Sequence, residues 1–338
     1  MPITNLEVLE LRGALFSEGY QVPAVFANRT AEREELLALI EGAGDRRAVI
    51  VADSLGAGKS FLIQMVAGDL GHTSAGSWPT VRNLANLAAT DAAFSVVEDF
   101  DIKMPYADLT GVLDTIARLW QNLPPTVLLV GDHTLRNPDL LRHLPGEIAT
   151  VRMKPLDTEF FLHAVGLRVE RFTGHKGEIE LFDPEFLAYL LPNTSPPVAT
   201  FRETFSILWR MAAHLPLNRA PCRFSGGEFA HLHPFSGIPP ESPADRLAKW
   251  LLDYIRRVYK PGVPLAALET SMLLEAAGLD MAPESFEAAV LKPLVSARVL
   301  RSVGIPYSRS AGRNDRFPPP YLPSALAFLS ARYGGGLA

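Results

Sequence analysis

The run Val49-Ile50-Val51-Ala52 leads straight into Asp53-Ser54-Leu55-Gly56-Ala57-Gly58-Lys59-Ser60, and that junction decides the fold. An apolar, β-branched string is a buried strand, and the residues after it match G-x-x-x-x-G-K-[ST] except that Asp53 replaces the first glycine. In that pattern glycines bring backbone N–H groups up to phosphate oxygens, the lysine reaches the terminal phosphates, and the hydroxyl supplies a Mg²⁺ position. Phe61, Leu62, Met65 and Val66 follow at helical spacing, so the order is strand, loop, helix, with the helix N-terminus aimed at an anion. The residues expected around the ligand are Leu55, Gly56, Ala57, Gly58, Lys59, Ser60 and Phe61, and the ligand expected is ATP with Mg²⁺. A carboxylate beside a triphosphate is repelled, so the Asp53 side chain is expected to point outward.

Strands and helices alternate around this junction. Ala92 to Val97 is a second apolar string ending at Glu98-Asp99-Phe100-Asp101, and Thr126 to Gly131 a third, ending at Asp132-His133. Between them Leu109, Val112, Leu113, Ile116 and Leu119-Trp120 mark a helix, and another begins near Thr30, read as its N-cap, with Glu32 and Glu34 in its first turn. Strands that each end in polar residues imply a parallel sheet whose carboxyl ends form a site. Glu98 and Asp99 are then placed to manage the metal and the attacking water.

The 338 residues are 48% hydrophobic, enough for two or three packed domains. A single cysteine, Cys222, excludes an internal disulfide framework and a cysteine-rich zinc site, and His231 and His233 read as a solvated or structural pair rather than metal ligands. No apolar run is long enough to span a bilayer and no leader pattern opens the sequence, so a cytoplasmic protein with no membrane partner is expected. From Pro155 onward the pattern is helical, over Glu159 to Phe172, Pro184 to Leu191 and Thr200 to His214. Leu215 to Pro243, rich in Pro, Gly and Ser, reads as a linker or surface excursion. Beyond it come three helices, the third interrupted near Pro293, a strand at Val299 to Val303, and a hairpin tip near Ser310 to Asp315, the pattern of a winged helix. The expected division is an ATPase core over 1–152, a helical lid over 153–216, a linker over 217–242 and a winged helix over 243–338.

In the order and spacing of these motifs, about residues 22 to 214 resemble the AAA+ ATPases, and within them the origin-recognition and replication-initiator clade. Phe26-Ala27-Asn28-Arg29 with Glu32 and Leu36, the phosphate loop, Val96 to Asp101, and Val127 to His133 followed by Lys154-Pro155-Leu156 carry that resemblance. It implies a P-loop parallel-sheet core with a helical lid, Asn28 and Arg29 near the adenine, Glu98 holding Mg²⁺ through water, Asp99 as general base, and Asp132 or His133 as first sensor. The family order is Asp-Glu, whereas this chain has Glu98-Asp99, so slow hydrolysis is expected. Arg202, in Ala199-Thr200-Phe201-Arg202-Glu203, matches the second sensor, a guanidinium suited to bidentate phosphate contact. Arg136 and Arg142 lie near the place of the family's arginine finger, although the position to expect it is closer to Gly146-Glu147.

The net charge is −5, yet residues 243–338 carry +4 and the remainder −9. Arg309, Arg313 and Arg316 crowd the expected hairpin tip and suit phosphate or minor-groove contact with double-stranded DNA. Glu284 and Glu287, at the start of the helix that would enter the major groove, oppose such contact, so a protein-binding winged helix is the other reading. The functional expectation is an ATP-dependent switch that self-associates and engages DNA or a protein. The alternative is a nucleotide-gated signalling or scaffold ATPase of a bacterial conflict system, with little hydrolysis.

Overall fold

The structure is a computed structural model and describes residues 29–42, 44–53, 56–71, 78–84, 87, 93–100, 106–154, 157–174, 182–191, 199–214, 224–230, 235, 237–260, 268–302 and 321–334. Asn28, Leu55, Cys222, His231, His233, Arg309, Arg313 and Arg316 lie outside them. The chain divides into two compact units, Asn28–Lys154 and Pro155–Val303 with Pro320–Ala338.

The first unit is built on a four-stranded parallel sheet. Its strands are β1 (Arg47–Ala52), β2 (Phe94–Phe100), β3 (Thr126–Gly131) and β4 (Glu147–Val151), in the order β2-β3-β1-β4. Strand β1 is central, with Val49 opposite Leu128 on one side and Ala149 on the other. A parallel strand with neighbours on both sides and helices on both faces is apolar throughout, and Ala48 to Ala52 are accordingly fully buried. Ala48, Ile50, Val97, Val127 and Leu129 line one face and pack under helix α3 (Tyr106–Leu119) through Leu109, Leu113 and Ile116. Helices α1 (Thr30–Glu41) and α2 (Lys59–Asp69) pack together and bury Leu36, Ile40, Leu62 and Val66.

Three details depart from the sequence reading. Strand β4 was not anticipated, because as an edge strand it alternates half-exposed residues and offers no continuous apolar run. Strand β2 extends past Val97 through both acidic residues to Phe100, which is made possible by a register shift between Val97 and Phe100. Helix α1 starts at Thr30 with Arg29 in the N-cap position and no side-chain cap, so Thr30 is its first helical residue rather than its cap. Thr80 bridges Glu98 in parallel, with Glu98 N donating to Pro79 O (2.9 Å) and Val81 N to Glu98 O (3.0 Å).

The second unit holds helices α5 (Thr158–Thr173), α6 (Pro184–Leu190), α7 (Phe201–His214), α8 (Gly226–Ala230), α9 (Pro243–Val258) and α10 (Thr270–Ala277), numbered after the short α4 (Pro138–Leu141) of the first unit. Then come α11 (Pro283–Phe286), a π-helical turn at Glu287–Leu291, α12 (Lys292–Ser296), the antiparallel pair β5 (Leu300–Ser302) and β6 (Tyr321–Pro323), and α13 (Ala325–Tyr333). The irregularity expected at Pro293 is this π turn. A proline has no N–H and its ring crowds the preceding turn, and widening the helix accommodates both. Leu268 bridges Tyr321, adding a third short segment beside β5 and β6. One apolar core runs from Phe161 and Phe186 through Phe205, Leu251 and Phe286 to Leu329. Phe224, Phe229 and Phe235, from the stretch expected to be a linker, belong to it. That stretch is thus partly core: its Pro, Gly and Ser residues masked three aromatic anchors, and Gly226 is where the Tyr333 ring passes, 2.1 Å from where a Cβ would sit. Among the described residues no helix is long and apolar enough to cross a membrane.

Candidate nucleotide site

The loop leaving β1 turns through Gly56 (φ 86°) and Gly58 (φ 89°). Both are in the left-handed region that side-chain-bearing residues rarely adopt, and the turn places the start of α2 beneath the end of the sheet. Lys59 opens α2, and its Nζ donates to Asp53 O (2.8 Å), closing the loop on itself. Ala57 is buried, Phe61 half-buried and Ser60 exposed.

Ser60 faces the acidic strand. Its side chain is hydrogen-bonded to that of Glu98, at the end of β2, and burial pushes the Glu98 carboxyl above its usual value near 4.5, with Asp99 adding to the rise and Ser60 and Lys59 opposing it. Glu98 Oε1 is buried and has no hydrogen-bond partner among the described residues. A buried carboxylate oxygen left over beside a hydroxyl is costly in a closed structure, and the two oxygen donors suit a hard divalent cation such as Mg²⁺. The residues present therefore fit the metal that the motif implies.

The neighbouring acid behaves differently. Asp99 is exposed and has φ 67°, a left-handed conformation in a non-glycine residue, and it sits in the register shift of β2. The shift brings Phe100 against Gly131, where a Cβ would lie 2.3 Å from Phe100 O, so only glycine is tolerated opposite the bulge. Asp132 N then donates to Phe100 O (2.9 Å), fastening the end of β3 to the bulged strand.

Strand β3 lies between β1 and β2, so its end faces the loop. There the sequence left Asp132 and His133 as alternatives, and the geometry separates them. The Asp132 carboxylate accepts from Thr134 N (2.8 Å) and caps the short turn His133–Arg136. His133 Nε2 lies 3.9 Å from Asp53 Oδ1. Burial lowers the imidazole below its usual range, with Arg136 and Lys59 adding to the effect and Asp53 and Asp132 opposing it, so it is neutral at pH 7. Asp53 does not point out to solvent as expected: its side chain is only 16% exposed and turned towards His133. Arg136 Nη2 donates to Ala52 O (2.6 Å), tying this turn to the last residue of β1.

Beneath the loop lies a buried pair that the sequence reading placed only loosely. Arg29, 3% exposed, donates through Nη1 to Glu32 Oε1 (2.7 Å) and Lys154 O (2.8 Å), and through Nη2 to Ala57 O (3.2 Å). Lys154 N in turn donates to Glu32 Oε1 (2.8 Å). Burial works to raise the Glu32 carboxyl, but the Lys154 amide and the Arg29 guanidinium outweigh it and hold the group below its usual value. The guanidinium thus joins the start of α1, the phosphate loop and the exit of β4. The available signal was the Arg29-x-x-Glu32 spacing, one helical turn, but the long-range partner Lys154 leaves no local trace.

Arg202 is exposed in the first turn of α7, in the second unit. Thr200 and Glu203 close that helix start reciprocally, with Glu203 N donating to Thr200 Oγ1 (3.3 Å) and Thr200 N to Glu203 Oε2 (2.9 Å).

Neither a family model nor a curated protein matches this sequence. Solved structures do. A variant of Thermotoga maritima RuvB is 16% identical over 85% of this chain and 95% of its own, with a TM-score of 0.45. Cdc6p from Pyrobaculum aerophilum is 11% identical over 86% and 91%, with a TM-score of 0.44. The ORC2 protein of Aeropyrum pernix, solved as ADPNP–ADP complexes, is 12% identical over 96% and 98%, with a TM-score of 0.38. At such identities and TM-scores the chemistry is argued from this chain's own residues.

Proposed function

We propose that the chain is an ATP–Mg²⁺-dependent switch that self-associates and engages double-stranded DNA through a C-terminal winged helix. The observation that carries the nucleotide reading is the phosphate loop itself: two glycines in left-handed conformation, Lys59 across the loop mouth, and Ser60 bound to a Glu98 whose Oε1 has no partner among the described residues. Lys59 and the loop amides would hold the phosphates, while Ser60 and Glu98 would hold Mg²⁺, which when bound neutralises charge on the transferring phosphoryl group. In this reading neutral His133 would orient a water by hydrogen bonding, Asp99 would accept its proton, and Arg202 would act as the second sensor that the resemblance implies. Binding would favour assembly, and hydrolysis would reset it.

The DNA reading rests on the basic balance of residues 243–338 and on Arg309, Arg313 and Arg316. It is supported by the order of three helical segments followed by an antiparallel pair, which is the element order of a winged helix. The alternative, a signalling or scaffold ATPase with little turnover, is favoured by the strained, exposed Asp99 in place of a longer glutamate.

Titration calorimetry with ATP or ADP plus Mg²⁺ tests the first claim. Binding is expected, weakened roughly 100-fold in Lys59→Ala, since charge-assisted contacts are worth about 1.5–3 kcal/mol each. Absence of heat with both nucleotides would sink the reading. Mass photometry with ATP and duplex DNA reports assembly and DNA engagement together, and Arg309→Ala with Arg313→Ala is expected to weaken duplex binding and flatten its salt dependence without changing ATP affinity.

A further inference from the structure

Helix α7 carries a second basic face that neither the nucleotide site nor the expected wing uses. Ser206, Trp209 and Arg210 recur at i, i+3 and i+4 and therefore share one side of the helix. Trp209 is 50% exposed, heading the described large hydrophobic side chains left open to solvent. Arg298, from the turn between α12 and β5, reaches across to this side, and its Nη1 donates to Ser206 Oγ (2.9 Å). Burial, and then the closeness of Arg298, lower Arg210 from its usual range, so two guanidinium groups are held near enough to oppose each other. The acid on this helix is already engaged: Glu203 Oε2 accepts from Thr200 N and pairs with Arg301 Nη1 (3.4 Å).

Arg298 also pays conformationally for its position. It has φ 60°, where glycine is the usual residue, at the point where the chain leaves α12 through Val299 N to Leu294 O (2.8 Å). Glycine would close that turn more easily than arginine does.

We infer that this face of α7, with Trp209 at its centre and Arg210 and Arg298 beside it, binds single-stranded nucleic acid. Two guanidinium groups beside an exposed indole are complementary to a phosphodiester backbone, which supplies one negative charge per nucleotide. The half-exposed indole selects among polyanions. In a duplex the base faces are stacked and closed, whereas a single strand offers them to an aromatic ring, and stacking of this kind tolerates any base. The inference depends neither on nucleotide binding nor on the wing arginines.

The test uses the full chain and fluorescence anisotropy of a labelled 15-nucleotide oligothymidylate at several salt concentrations. Trp209→Ala is expected to weaken binding about tenfold. Arg298→Gly is expected to weaken it severalfold and lower the salt slope by about 0.7 for each phosphate no longer neutralised, while raising the melting temperature because glycine relieves the turn. A structural role for Arg298 would instead lower the melting temperature. The Arg309→Ala, Arg313→Ala double variant is expected to keep the Trp209-dependent part of the affinity. Unchanged binding in both Trp209→Ala and Arg298→Gly overturns the inference. So does equal loss of a 15-base-pair duplex in Trp209→Ala, which removes the selection for single strands, and so does failure of the unaltered chain to bind at low salt, which leaves the face to an acidic protein.

Discussion

In the sheet unit several charged groups go inward around the phosphate loop, and in the helical unit most stay near helix ends and surfaces, although Arg168 is buried there with its guanidinium 4.1 Å from the Phe205 ring centroid. Arg29 and Glu32 are buried beneath the phosphate loop, Glu98 is half-buried with one oxygen lacking a partner among the described residues, and His133 is held neutral against Asp53. In the second unit the interior is apolar and aromatic, from Phe161 to Phe328, and buried polar residues such as Thr200, Asp245 and Ser324 close helix starts. In the first arrangement the buried carboxyls act with opposite signs, Glu32 favouring the fold when ionised and Glu98 opposing it; the second is mainly packing. The contrast makes opposite predictions for comparable substitutions.

The largest expected effect is in the packed unit. Phe286 is fully buried where α11, α9 and α10 meet the core, and Phe286→Ala should cost about 3–5 kcal/mol through lost burial and the cavity left behind. Thermal or urea unfolding would show it, with nucleotide affinity unchanged. A loss below about 1 kcal/mol would mean that this core is loosely packed and the contrast is false.

Next is the buried pair. Glu32→Gln leaves the Arg29 guanidinium without its counter-charge, and removing one partner of such a pair typically costs about 3–5 kcal/mol. Because Glu32 is held below its usual carboxyl value, its contribution is complete above the unfolded value near 4.5 and is lost as the pH falls through the lower, folded one. The unaltered chain should therefore lose stability on acidification in that window, and the Glu32→Gln chain should lose less. Equal acid sensitivity would show that the pair is not what couples this unit to pH.

How much of this was legible follows the same division. The phosphate loop, three of the four strands and most helices were readable because their signals are local: apolar runs, glycine placement and helical spacing at Leu109, Leu113 and Ile116. Strand β4 escaped because Glu147 and Thr150 sit on an edge and leave no apolar run. Asp53 was misjudged because its orientation is set by His133, far along the chain. Phe224 and Phe229 were hidden inside a Pro- and Gly-rich stretch whose composition signals exposure although these two side chains are core. Contacts between distant residues leave no periodicity, and the site residues whose roles stayed open, Asp132 and His133, needed contacts of that kind to separate them.

Glu98 gives an effect of opposite sign to Glu32. Its carboxyl is raised, so the protonated form is favoured in the fold, and ionisation above the folded value costs stability. Glu98→Gln should therefore raise the melting temperature at pH 7 while weakening Mg²⁺-dependent nucleotide binding roughly 10–100-fold, as loss of a group that holds a metal through water does. Calorimetry in buffers of different ionisation enthalpy should also detect proton release when Mg²⁺ and nucleotide bind to the unaltered chain near the raised value, and none in the variant. A destabilised Glu98→Gln chain would show that this carboxylate is structural.

The smallest expected effect concerns Asp99. Aspartate tolerates the left-handed region better than most residues, so the strain at φ 67° is modest and Asp99→Gly should gain only about 0.5 kcal/mol. The value of the substitution is that its two readouts separate. If the bulge exists to present an acid to water, turnover falls while stability rises slightly and nucleotide affinity holds, because Ser60, Lys59 and Glu98 are untouched. If the bulge exists only to let Phe100 close on Gly131, turnover is unchanged and Asp99 is an ordinary exposed acid on a bent strand. A loss of stability in Asp99→Gly would remove the strain argument altogether, and with it the grounds for assigning this residue the water-activating role rather than His133.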